Sequence, residues 1–198
     1  MPRTLRPEEQ FSDLPGLAKE TRKAYLCMTS ANRHEVFFMA RTDIQAFILA
    51  GGQSSRAGYD KLLTKINKTT LVEKTISACD NLFTSTSLVA KATEKYKHLP
   101  YPTLIDSELA DGPMAGIITA LENCTAEYCF ITASDLYDLN KNVIIHILDS
   151  YTNEQFLGAE INNRIQPLCG IYHTSCLPIL EETTKTGNFK MRDFLKQI

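Results

Sequence analysis

Three short stretches hold the residues whose types and spacing could do chemistry, and each begins where an apolar run stops. The first is Leu49-Ala50-Gly51-Gly52-Gln53-Ser54-Ser55-Arg56-Ala57-Gly58-Tyr59-Asp60-Lys61. Two adjacent glycines let backbone N–H groups approach an anion without obstruction from a side chain. Arg56 offers a planar fork for phosphate oxygens, and Lys61 a compact positive charge at the far end of the loop. Counting excludes the two commonest phosphate loops. Tyr59 follows Gly58 where a P-loop has lysine, and the dinucleotide pattern G-x-G-x-x-G has no match here. Taken alone, a Gly-Gly turn with solvated charges is more often an ordinary strand-to-helix connection.

The second stretch is LIDSELADGPMAG, in which Asp106 follows the apolar triplet TLI and Asp111 stands where an N-cap for the next helix is expected. The third is ITASD, in which Asp135 follows YCFITA and Asp138 lies close by. Carboxylates at strand ends, opposite a basic glycine loop, suit a magnesium ion held beside substrate phosphates. Magnesium usually takes one or two protein carboxylates plus phosphate oxygens and water. For any single aspartate, a cap or turn role is the competing reading. Histidines at 34, 98, 146 and 173 show no partner spacing and read as surface or core residues.

The elements that must position these groups alternate between two periods. AFILA (46–50) is a short apolar run ending in Gly-Gly, as expected for a strand buried on both faces. Residues 70–83 have a helical period, 87–90 and 103–105 read as strands, and Pro113 opens a helix. YCFITA (128–133) is a buried strand and 142–151 a helix. QFLGAEI and RIQPLCGIY form a hairpin around Asn162-Asn163, and helices over 174–184 and 189–197 follow. Strand–helix alternation with short connections predicts an α/β fold with a mostly parallel sheet. Such sheets bind ligands at the carboxyl ends of their strands, where all three stretches fall.

Composition sets the outer limits. The chain has 198 residues, 43% hydrophobic and 22% charged, which excludes wholesale disorder and fibrous repeats. Lys+Arg 21 against Asp+Glu 23 leaves a net charge of −2, with no electrostatic footprint for nucleic acid or an anionic membrane. No apolar run approaches the ~18–20 residues of a membrane span, and the N-terminus has no signal-peptide core. Six cysteines without a CxxC pair read as buried thiols, so a cytoplasmic location is expected. Residues 1–43 carry Pro at 2, 7 and 15 and little core patterning. They read as a partly ordered extension or linker, with the domain proper spanning 44–198.

LAGGQSSRAGYDK resembles the L-A-G-G-x-S-x-R-M-G-x-D-K signature of the molybdenum cofactor guanylyltransferases, the molybdopterin-guanine dinucleotide biosynthesis protein A family. DSELADGPMAGIITAL is similar to that family's D-x-x-x-x-x-G-P-L-A-G-I-x-x-A-L, and ITASDLYDL stands in place of x-x-P-C-D-x-P-x-L. Sugar-nucleotide pyrophosphorylases share L-A-G-G but continue with G-T-R-x-x-P and a Lys-Pro pair. The resemblance implies a three-layer Rossmann-like nucleotidyltransferase fold and an enzyme that transfers GMP from GTP to molybdopterin, releasing pyrophosphate. It implies that Leu49, Ala50, Gly51 and Gly52 hold the nucleotide, that Lys61 and Arg56 meet the triphosphate, that Asp106 meets the nucleotide, and that Asp135 holds Mg2+. Lys61, Arg56 and Asp135 are then the catalytic set. Its partners are GTP and the pterin, with molybdoenzyme-maturation proteins as further candidates and neither nucleic acid nor membrane among them.

This sequence departs from the family at Ala57, Ser134, Tyr137 and Gln166, and it stops at Ile198 before the family's F-x-N-x-N-T segment. The alternatives are cytidylyl or sugar-nucleotide transfer, or a degenerate nucleotide-binding protein without turnover.

Overall fold

The computed structural model describes residues 44–51, 62, 65–66, 69–162 and 164–198, with backbone alone at 65 and 66. Residues 1–43, and with them the expected extension, lie outside the described residues. A six-stranded sheet organises the rest. Its strands are β1 (Ile44–Leu49), β4 (Thr86–Ala90), β5 (Thr103–Ile105), β6 (Tyr128–Ala133), β7 (Phe156–Ile161) and β8 (Arg164–His173). The order is β5-β4-β1-β6-β8-β7. The first four strands run parallel, whereas β8 pairs antiparallel with both β6 and β7. A separate antiparallel ribbon, β2 (Lys65–Ile66) with β3 (Thr69–Thr70), was not visible in the hydrophobic pattern.

Strand β1 shows why its sequence is apolar without alternation from Ala46 onward. Ile44, Ala46 and Ile48 enter one core with Val72 and Ile76 of α1 (Leu71–Cys79) and Ile144 of α3 (Lys141–Ser150). Phe47 and Leu49 enter the other, with Met114 and Ile117 of α2 (Pro113–Asn123), Leu180 of α4 (Cys176–Lys185) and Phe194 of α5 (Met191–Phe194). A strand between two helical layers has no solvent face, so both residue parities must be apolar. Strand β6 repeats the arrangement, sending Phe130 to the first core and Cys129 and Ile131 to the second.

Local chemistry sets the element ends. Helix α1 starts in a capping box: Glu73 N–H donates to Thr70 Oγ1 at 3.2 Å, and Thr70 N–H donates to Glu73 Oε2 at 2.8 Å. Asn81 at φ 59° then turns the chain, so Leu82 and Phe83 are buried beyond the helix instead of continuing it. Asn140 caps α3 by accepting from Asn142 and Val143 N–H.

The expected cap by Asp111 is corrected. The N-cap of α2 is Gly112 at φ 65° and ψ −143°, with no side-chain cap bond. That backbone region belongs almost wholly to glycine. Pro113 at the first helical position has no N–H to be satisfied. Gly116, one turn in, lets α2 settle on β1, because a Cβ there would meet Leu49 Cδ2 at 2.9 Å.

Cys79, Cys129, Cys169 and Cys176 are buried free thiols and Cys124 is half-buried. Burial pushes the Cys79 thiol up to about 12 and those of Cys169 and Cys176 to about 11, which keeps them protonated and unreactive. Among the described residues no helix is long and apolar enough to cross a membrane.

Candidate active site

Strands β1, β4 and β5 succeed one another outward, while β6 lies on the opposite side of β1. The order therefore reverses between β1 and β6, and a crevice opens outside the carboxyl ends of strands at such a point. Leu49, Ala50, Gly51, Asp106 and Asp135 all lie on that edge. Gly52 and the two basic residues of the predicted site, Arg56 and Lys61, lie outside the described residues.

Gly51 and Asp106 meet. A Cβ built on Gly51 would stand 2.8 Å from Asp106 Oδ2, so only glycine leaves the carboxylate where it is. The backbone around Asp106 is pinned on both sides. Its N–H donates to Ala90 O at 3.1 Å, continuing the ladder with β4, and the next N–H, of Ser107, donates to Thr119 Oγ1 on α2 at 2.7 Å. The carboxyl is half-buried, and burial raises its pKa while the charge of Lys91 at the end of β4 partly offsets this. A half-buried carboxylate set against a glycine turn at a sheet's carboxyl edge is a candidate for ligand contact.

A stability consequence follows. Because the folded-state pKa is raised, the stability contribution of Asp106 is fully present below the unfolded carboxylate pKa and is lost as pH climbs through the folded value. Asp106→Asn is therefore expected to unfold at the same or a higher temperature than the unmutated chain near neutral pH, while binding nucleotide several-fold more weakly. Thermal unfolding between pH 4 and pH 7, paired with a nucleotide titration, checks both halves. A lower melting temperature with unchanged affinity would make Asp106 a structural residue.

Asp135 follows the buried strand β6 and is exposed at its carboxyl end. The residue before it carries the anchoring. Ser134 N–H and Oγ both donate to Leu49 O, at 3.0 Å and 2.9 Å, and Ser134 O accepts from Thr75 Oγ1 of α1 at 3.4 Å. After it, Lys74 Nζ donates to Tyr137 O and lies 4.4 Å from the centroid of the Tyr137 ring. Gln166 lies near the start of β8, paired with Ala159 of β7, and its Nε2 donates to Arg164 O at 3.2 Å.

Among the described residues no three His, Cys, Asp or Glu side chains gather to cage a metal unaided. An exposed aspartate at the crevice instead fits the open coordination of magnesium, which keeps water and substrate phosphate among its ligands.

Two contributors escape a sequence reading. Ser134 is a small hydroxyl residue in a strand-end turn and looks like filler. Tyr96 stands within the polar stretch ATEKYKHL, yet it is 2% exposed and its hydroxyl donates to Ala50 O at 2.9 Å. An aromatic isolated among charges is the one available signal.

Residues 46–198 match the family model described as the MobA-like NTP transferase domain. A Clostridium perfringens (strain 13 / Type A) protein named "Probable molybdenum cofactor guanylyltransferase" is 32% identical over 147 residues, 74% of this chain and 74% of that protein. The crystal structure of Aq1419 from Aquifex aeolicus VF5 superposes with a TM-score of 0.70 at 28% identity, covering 81% of this chain and 85% of that one. Molybdopterin-guanine dinucleotide biosynthesis protein A from Archaeoglobus fulgidus shares the fold, with a TM-score of 0.64 at 21% identity over 77% of this chain and 79% of that chain.

Proposed function

The chain belongs to the MobA-like NTP transferase domain family and is a nucleotidyltransferase, and from that premise we propose that it transfers GMP from GTP to molybdopterin. The contact of Gly51 with Asp106, on a sheet edge that also carries Asp135 beyond β6, supports the proposal. The name of the Clostridium perfringens relative supports the choice of guanylyl transfer.

In the proposed reaction a terminal phosphate oxygen of the pterin attacks the α-phosphorus of GTP. The bond from that phosphorus to the bridging oxygen breaks, and pyrophosphate leaves with the electron pair. No covalent enzyme intermediate is required. The protein's task is to align the two phosphates and to offset charge that spreads over oxygen in the transition state. Leu49, Ala50, Gly51 and Gly52 supply the backbone along which the nucleotide lies, and Asp106 orients it. Arg56 and Lys61 neutralise the triphosphate. Asp135 would hold a divalent cation, proposed as Mg2+, which when bound supplies positive charge to the phosphate oxygens. Residues 44–198 form the transferase domain in this proposal, and residues 1–43 an extension to it.

The test is a binding titration with GTP, CTP, ATP and UTP, with and without magnesium. GTP is expected to bind at least tenfold more tightly than CTP, a difference of about 1.4 kcal/mol. Equal affinities, or a preference for CTP, would move the assignment to cytidylyl or sugar-nucleotide transfer.

A further inference from the structure

Two successive carbonyls at the end of β1 are held by side chains that the transfer reaction does not use. Leu49 O accepts twice from Ser134, and Ala50 O accepts from the Tyr96 hydroxyl. We propose that Tyr96 and Ser134 are positioning residues, which together clamp the Leu49-Ala50-Gly51 backbone so that the Gly51 N–H is presented to the nucleotide. The inference rests on the nucleotide-binding reading of this turn and deepens it.

The ladder explains why a clamp is needed there. Ala46 and Ala50 both direct their N–H groups toward β4, donating to Ser85 O and Val89 O at 2.8 Å each. Strand β4 then ends at Ala90, and the hydroxyl of Tyr96 meets the Ala50 carbonyl beyond that end. Tyr96 reaches it from the four-residue 3-10 turn Thr93–Tyr96, with its ring in the core that also holds Ala50 and Ala90. On the other side of β1, Ser134 prolongs the pairing with β6 past its last register pair, Leu49 with Ala133.

The peptide joining Ala50 to Gly51 is trans and planar. Holding the Ala50 carbonyl toward the β4 side therefore turns the Gly51 N–H to the opposite side. Glycine left to itself samples a wide range of φ and ψ. A turn that must offer one N–H in one direction gains from being held before the ligand arrives, because the ordering is not then charged to binding. The Asp106 carboxylate occupies the space that a Cβ on Gly51 would need, so this position stays glycine and its peptide orientation must be set by its neighbours.

Three variants test this: Tyr96→Phe, Ser134→Ala and, as a matched control, Tyr172→Phe. The control also deletes one phenolic hydroxyl bonded to a carbonyl, that of Pro167 at 2.7 Å, and its ring lies in the opposite core. GTP is titrated in the presence of magnesium at a temperature well below each measured unfolding midpoint, and steady-state transfer is followed in parallel. Tyr96→Phe and Ser134→Ala are expected to weaken GTP binding at least fivefold, with KM rising more than kcat falls. Tyr172→Phe should stay within twofold of the unmutated chain. Should Tyr96→Phe not fold, Ser134→Ala decides by itself. Unchanged affinity in both clamp variants, or an equal loss in Tyr172→Phe, overturns the clamp and leaves the assigned function standing. Failure of the unmutated chain to bind any nucleotide overturns the function and the clamp together.

Discussion

Asp135→Asn is expected to leave the fold intact and to lower transfer of GMP to molybdopterin at least 100-fold, roughly 3 kcal/mol of transition-state stabilisation. The fold should survive because the neighbours of Asp135 tie this turn to β1 and α1. Ser134 bonds to Leu49 O through both N–H and Oγ, Thr75 bonds to Ser134 O, and asparagine keeps the size and much of the hydrogen-bonding capacity of the exposed Asp135. It removes the charge a hard divalent cation requires. Were Asp135 only a turn residue, asparagine would replace it with almost no effect. Circular dichroism and a magnesium-dependent transfer assay on the purified variant separate the two. An unchanged rate would remove Asp135 from the metal assignment. A lost rate with lost structure would place it among the folding residues.

Gly170→Ala is expected to be the most damaging small substitution in the sheet. Strands β7 and β8 bring Gly158 and Gly170 face to face. A Cβ on Gly170 would lie 2.4 Å from Leu157 O and 2.8 Å from Gly158 Cα. Both atoms are backbone, so no side-chain rotation relieves the clash, and the two strands must separate at the point where β8 also pairs with Ile131 of β6. The expected loss is about 3 kcal/mol or more, in the range of severe overpacking. Urea unfolding measures it. Gly187→Ala is the contrast: φ is 73° there and no atom lies within 4 Å of the added Cβ, so about 1–2 kcal/mol of backbone strain is all it should cost. Equal midpoints for the two variants would show that β7 and β8 can part at Gly170 without penalty.

The chain of residues from 44 onward made its elements legible because each has a short-range cause. TLI and YCFITA are strands with the limits their apolar runs suggest, and Pro113 does open a helix. The misreadings also have local causes. Leu82 and Phe83 continue a helical period but lie past a left-handed Asn81, and burial by a turn copies the pattern of burial by a helix. Asp111 has the right chemistry for a cap, yet Gly112 takes the position through a backbone conformation that an aspartate resists.

What the sequence determined by itself was the alternation of buried strands with helices and the presence of glycine and aspartate at the strand ends. Those properties follow from hydrophobic period and from backbone preference, both of which act over a few residues. Only the tertiary structure decided which strand ends are neighbours. It placed antiparallel β8 between β6 and β7, and it set Gly51 against Asp106. It also brought Tyr96 to Ala50 across 46 residues and Ser134 to Leu49 across 85. A periodic pattern states that a face is buried and is silent on what buries it. The partner is selected by packing and hydrogen bonding between distant segments, and those forces act once the sheet has assembled.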